Sequence, residues 1–148
     1  MTESGPDPSR SVDEETLRYL GRAFGRRPEV RHTSLFPSNK QERLVVTLET
    51  EYYPDRVDGV SIEIRAYTNG EFHVSYIESH SGDRQRCRWD RHDQPHNSRD
   101  HYHPLPDAST AAAVDREYAT DLTRVVETDV LPWVDNRVGV LWDSEKVP

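Results

Sequence analysis

Residues 59–79 read GVSIEIRAYTNGEFHVSYIES, two alternating runs hinged on Asn69-Gly70. In the first run Val60, Ile62, Ile64 and Ala66 share one side, and Ser61, Glu63, Arg65 and Tyr67 share the other. In the second, Phe72, Val74 and Tyr76 share a side. A period of two marks a strand with one face on a core and one toward water. Asn-Gly invites a two-residue turn, but that register pairs Tyr67 with Phe72 and Arg65 with Val74, mixing the faces. A three-residue loop, Thr68-Asn69-Gly70 with Gly70 left-handed, pairs Ala66 with Phe72, Ile64 with Val74 and Ile62 with Tyr76. Only the second register keeps the apolar face whole. It also sets Arg65 beside His73 on the opposite face.

Working outward, Arg43–Tyr53 alternates through Leu44, Val46 and Leu48 before Pro54, and Val30–Phe36 is a weaker strand candidate closed by Pro37-Ser38-Asn39. After the turn Ser81-Gly82-Asp83, a strand over Arg84–Asp90 puts Cys87 and Trp89 toward the core and Arg84, Arg86 and Arg88 on the other face. Ser11–Phe24 predicts a helix, with Ser11 and Glu14 as a capping box and Leu17, Leu20 and Phe24 on one side. The segment Arg91–Asp107 has no hydrophobic period and reads as a loop. A second helix is expected over Ser109–Val130, ended by Pro132, with Arg137–Trp142 as a short strand or a docked apolar tail. The expectation is an α+β fold: a mainly antiparallel sheet of four to six strands with an N-terminal and a C-terminal helix. Residues 1–10, polar and rich in Pro, Ser and Asp, read as a disordered lead-in to one domain over residues 11–148.

No stretch approaches the ~20 apolar residues a bilayer crossing needs, and the N-terminus lacks a signal-type apolar core. Cys87 is the lone cysteine, so neither an internal disulfide nor a multi-cysteine zinc site is available, and a reducing cytoplasm is the expected compartment. Asp and Glu number 27 against 19 Lys and Arg, a net charge of −8, yet only Lys40 and Lys146 are lysines. Such an acidic, arginine-retaining composition resembles that of salt-in halophiles, archaea among them. At molar salt the Debye length is ~3 Å, so the acidic total does not exclude a nucleic-acid partner.

Five of the seven histidines fall between His80 and His103. The segment is too polar for a core and crowded with titratable groups. Three readings are open. In a metal-independent ribonuclease, imidazoles would take a proton from the 2′-OH and give one to the leaving 5′-oxygen. Arginine would clamp the phosphoryl oxygens, and Tyr102 or Trp89 would stack on a base. In a metal site, His101 and His103 with His96 or an Asp would hold zinc. In a structural reading, His and Arg cap loop carbonyls and pair with the plentiful carboxylates.

The run Arg88-Trp89-Asp90, followed by Pro95-His96 and then His101-Tyr102-His103, resembles the TumE family of toxins, whose middle reads like R-[WY]-D-N-x-P-H-H and then P-H-H-x-H. The likeness extends loosely over about Arg43–Val130. The chain departs from the pattern at Arg91, at Asn97 and at Arg99-Asp100. The resemblance implies a toxin paired with a helix-turn-helix antitoxin, with RNase-like activity suspected, and it singles out Arg88, His96, His101 and His103. The combined expectation is that His96 and either His101 or His103 transfer protons while Arg88 stabilises phosphate charge. Arg65, His73, Arg86 and Tyr102 would position RNA. No cofactor is expected under this reading, zinc belonging to the alternative.

Overall fold

The computed structural model describes residues 11–92 and 99–145. Among these residues seven strands form one antiparallel sheet in sequence order. They are β1 (Val30–Phe36), β2 (Arg43–Leu48), β3 (Gly59–Ala66), β4 (Phe72–His80), β5 (Asp83–Arg91), β6 (Asp100–His103) and β7 (Val114–Arg116). The central hairpin has the three-residue loop: Ala66 faces Phe72, Ile64 faces Val74, Ile62 faces Tyr76 and Arg65 faces His73. Gly70 lies at φ +92°, where a Cβ would be strained. Between β4 and β5, Ser81 and Gly82 both take positive φ, joining His80 to Asp83 in a two-residue turn.

The alternation sorts the sheet into two faces. On one, Leu44, Val46, Ile62, Ile64, Val74, Tyr76 and Cys87 are buried beneath two helices. Helix α1 (Glu14–Gly25) covers β1–β3 through Leu17, Leu20 and Phe24. Trp133, on the C-terminal helix, sets its ring edge against Tyr76 and Trp89, with ring centroids 4.8 and 5.5 Å away. Each such aliphatic or aromatic side chain contributes about 1.5–3 kcal/mol on burial. No helix among the described residues is long and apolar enough to cross a membrane.

Several sequence expectations are corrected. Helix α1 is capped by Asp13, whose carboxylate accepts from the Thr16 amide at 3.1 Å, and not by Ser11. Ser11 and Asp13 are tied to the end of β3 through Thr68 N–Ser11 O at 2.8 Å and Asp13 N–Ala66 O at 2.9 Å, which holds the chain extended there. The strand expected to reach Tyr53 stops at Leu48, and a 3-10 turn follows over Thr50–Tyr52. The segment 91–107 contains β6. Its inward positions are Asp100 and Tyr102, and Asp100 carries no hydrophobic signal because it is matched to buried Arg91 instead of to a core.

The helix expected over Ser109–Val130 is a turn at 110–113, then β7 and non-helical chain up to Thr120. Arg91 explains why. Its guanidinium donates to the carbonyls of Tyr118, Ala119 and Thr120, at 3.0, 2.9 and 3.1 Å. The Tyr118 amide is taken by Asp100 at 2.8 Å. Backbone groups that a helix would use are committed to side chains, so the helix starts only after Asp121, which caps it through the Thr123 amide. It runs from α2 (Leu122–Val125) through a π turn (Val126–Val130) into α3 (Leu131–Glu145). Pro132 therefore sits inside the helical run, just after the wide turn whose last bond is Leu131 N–H to Val126 O. The tail 137–142 is helical, with Leu141 buried.

Glu78 ties α3 to the sheet. Its carboxylate, fully buried, accepts from Arg137 Nη2 at 2.7 Å, Arg137 Nε at 3.0 Å, Tyr76 Oη at 2.5 Å and His80 Nε2 at 2.6 Å. Burial alone would raise its pKa, but these donors outweigh burial and hold it below the usual carboxylate value. The unfolded chain thus takes up this proton first as pH falls. Stability from Glu78 is full above the unfolded value of ~4.3 and drains away as pH drops through the lower folded value. Urea midpoints measured from pH 6 to pH 2 should fall in the acid limb, and Glu78→Gln should flatten part of that fall. Asp90 and Asp100, also lowered, contribute in the same direction. Superimposable profiles for the two proteins would contradict this role.

Candidate functional site

The face of the sheet turned away from the helices carries a row of side chains at matched register. Arg65 on β3 faces His73 on β4, His73 faces Asp90 on β5, Asp90 faces His101 on β6, and His101 faces Asp115 on β7. In the adjacent row, Ser75 faces Arg88 and Arg88 faces His103. Strands pack about 4.8 Å apart, so the backbones of His73 and His101 stand roughly 10 Å from each other with Asp90 between them.

Asp90 organises the group. Its side chain is 3% exposed, yet it receives His73 Nδ1 at 2.8 Å on Oδ1 and Arg88 Nε at 2.7 Å on Oδ2, and His103 Nε2 lies 3.0 Å from Oδ2. Burial opposes ionisation, but the hydrogen bonds from His73 and Arg88 prevail and hold the carboxyl below its usual pKa. An ionised Asp90 makes Nδ1 of His73 the donor, which turns Nε2, the proton-accepting nitrogen of that tautomer, away from the carboxylate. The His73 side chain is 30% exposed, and the Tyr67 ring meets it edge-on, centroids 6.3 Å apart. Arg88 spends Nε on Asp90, and its two terminal nitrogens have no partner among the described residues.

The other imidazoles flank this core. His92 stacks on His101 with centroids 5.3 Å apart, and His101 lies 6.3 Å from the His103 ring. Burial, assisted by the neighbouring His73 and His101 rings, lowers the His92 pKa against the pull of Asp90. His101 Nδ1 approaches Asp115 at 3.4 Å. His103 is buried and engaged at both nitrogens, by Asp90 and by the Ser109 carbonyl at 3.3 Å. It braces Asp90 and does not face solvent.

Of the residues singled out from the sequence, Arg65, His73, Arg88, His101 and His103 share this face. Arg86 lies on the same face two residues along β5, exposed, its backbone joined to Pro106 at 2.8 Å. Tyr102 does not join them. Strand alternation turns it to the opposite face, against Trp89 and under the Arg116 guanidinium, apart from the residues with which it was expected to position RNA. His96 lies outside the described residues, as does the expected lead-in 1–10. Sequence reasoning passed over Asp90 and His92. Asp90 was within reach, since it shares parity with Arg86 and Arg88 on β5. His92 follows the strand and had no such signal.

Cys87 is buried and its thiol is pushed up to about 12 by that burial, which leaves it unsuited to nucleophilic work. Among the described residues no group of three His, Cys, Asp or Glu side chains is arranged to hold a metal ion. His96, a third ligand of the zinc reading, is not among them.

The model of the family described as Toxin TumE matches residues 20–138. No curated protein and no solved structure matches the chain.

Proposed function

The chain belongs to the TumE family of toxins, and from that membership we propose that it acts by cleaving RNA without a metal, at the His73–Asp90–Arg88–His101 face. Family membership brings an antitoxin partner, which we take to be a helix-turn-helix protein. The observation that carries the proposal is the buried, ionised Asp90 shared by His73, Arg88 and His103.

In this reading His73 is the general base. Its Nε2 takes the proton of a ribose 2′-OH, the 2′-oxygen forms a bond to phosphorus, and the bond from phosphorus to the 5′-oxygen breaks. His101 delivers a proton to that departing oxygen. The products are a 2′,3′-cyclic phosphate and a free 5′-hydroxyl. The terminal nitrogens of Arg88 hold the phosphoryl oxygens as their charge grows, a role suited to a planar guanidinium already fixed through Nε. His92, stacked on His101, limits that ring's rotation. Arg65 and Arg86 guide the strand on either side, and His96 remains a candidate second proton carrier. The chemistry needs no metal.

Expression in cells of the protein and of its Arg88→Ala and His101→Ala variants tests the reading. The unmodified protein should arrest growth and leave transcript fragments with 5′-hydroxyl ends. Each variant should grow and keep its transcripts, with cleavage down at least about 10²-fold. Arrested cells with intact transcripts would sink the ribonuclease reading.

A further inference from the structure

The face turned away from the helices extends beyond the site to an aromatic residue at the far edge of the sheet. Phe36, the last residue of β1, is 44% exposed. It pairs with Arg43, whose guanidinium lies over the ring at 5.8 Å from the centroid. Next to it, Leu44 faces Ile64 across β2 and β3, which brings Arg43 and Arg65 to neighbouring positions at that end of the sheet. A pocket of about 260 Å³ opens there, lined by Phe36, Pro37, Glu42, Arg43 and Arg65. From Arg65 the row continues directly to His73, Asp90 and His101.

We propose that this pocket is a subsite for an unpaired nucleobase of single-stranded RNA, stacked on Phe36 and Arg43, with the adjoining phosphate on Arg65. It rests on the ribonuclease reading for the identity of the strand but on separate residues for its geometry. A phenyl ring half in water, beside a planar cation, is a stacking platform that accepts any base because every base has a π face. The charges also fit a phosphodiester. Glu63 takes Arg43 at 3.4 Å and Glu42 takes Lys40 at 3.1 Å, whereas the Arg65 side chain has no partner among the described residues. One uncompensated guanidinium therefore stands between the ring and His73. Phe36 and His73 are three strands apart, about 14 Å, so a base here belongs to a nucleotide close to the scissile phosphate. A duplex cannot use the platform, since its bases are already stacked.

The test is fluorescence anisotropy with a short labelled single-stranded RNA, in a His101→Ala background so that bound RNA stays whole. Adding Phe36→Ala should weaken binding about tenfold or more, and Phe36→Trp should retain it. The same sequence as a duplex should bind equally to both proteins. Arg65→Ala should reduce the slope of log affinity against log salt by about 0.7, the loss of one phosphate contact. Unchanged single-strand affinity in Phe36→Ala overturns the subsite, while loss of cleavage in His101→Ala would still leave the ribonuclease reading standing. If the protein does not cleave RNA yet binds it in a Phe36-dependent way, the cleavage reading falls and the subsite stands. If the protein binds no RNA, both fall. If Phe36→Ala spares RNA but releases the antitoxin, the ring belongs to a protein interface and the subsite is rejected.

Discussion

On the proposed ribonuclease reading, Asp90→Asn is expected to lower the rate of RNA cleavage by about 10²–10⁴-fold while the protein stays folded. The argument turns on donors and acceptors. Three groups converge on Asp90: His73 Nδ1 on one oxygen, Arg88 Nε and His103 Nε2 on the other. An asparagine offers one oxygen and one amide nitrogen. Arg88 can only donate, so the oxygen must stay on its side and the amide must turn toward His73. His73 is then driven to accept at Nδ1 and to carry its hydrogen on Nε2, the nitrogen that should receive the 2′-OH proton. The base is in place but in the wrong tautomer. The loss should therefore appear in kcat, with KM little changed, because in that reading Arg65, Arg86 and Arg88 would still meet the phosphates. Single-turnover cleavage of a labelled RNA, with a urea titration beside it, separates the effect from unfolding. A folded Asp90→Asn protein that retains cleavage within a few-fold of the original would falsify the role given to His73.

Arg91→Ala is expected to destabilise the fold by ~3–5 kcal/mol, the largest stability effect of any single charged side chain described above. Arg91 is buried and bidentate to Asp100, at 2.8 and 3.0 Å, and it also binds the carbonyls of residues 118–120. Its guanidinium lies 5.2 Å from the centroid of the Phe72 ring. Removing it strands a buried carboxylate whose pKa is held low despite burial by Arg91 and the Tyr118 amide. It also orphans the three carbonyls, each costly to leave unpaired. A double variant, Arg91→Met with Asp100→Leu, removes both charges at once and should recover part of the loss. It should not recover all of it, because the carbonyls and the Tyr118 amide still lack partners. Urea unfolding of the three proteins tests this, and a cost under about 1 kcal/mol for Arg91→Ala would remove Arg91 from the structural account.

The hairpin 59–79 was legible because a one-residue slip would turn every apolar side chain to solvent, which leaves a single acceptable register. From that register the pairing of Arg65 with His73 follows, as does the outward row of Arg86 and Arg88. What could not be read were β6, β7 and the true start of the C-terminal helix. Their positions depend on Arg91 and Asp100, a polar pair that does the work usually left to apolar side chains and so carries no hydrophobic period. Val114, Tyr118 and Leu122 fall at helical spacing, but the backbone at residues 118–120 answers to a side chain about 30 residues upstream. The same limit applies to the site. The residues near the end of β5 announced imidazole and guanidinium chemistry, and the family pattern marked Arg88, His101 and His103. Which histidine is buried and which turns its second ring nitrogen away from the carboxylate was set only when β4, β5 and β6 aligned on Asp90. The alternation of a single strand determines which face a side chain takes; its hydrogen-bond partners come from neighbouring strands, and only the folded sheet supplies those.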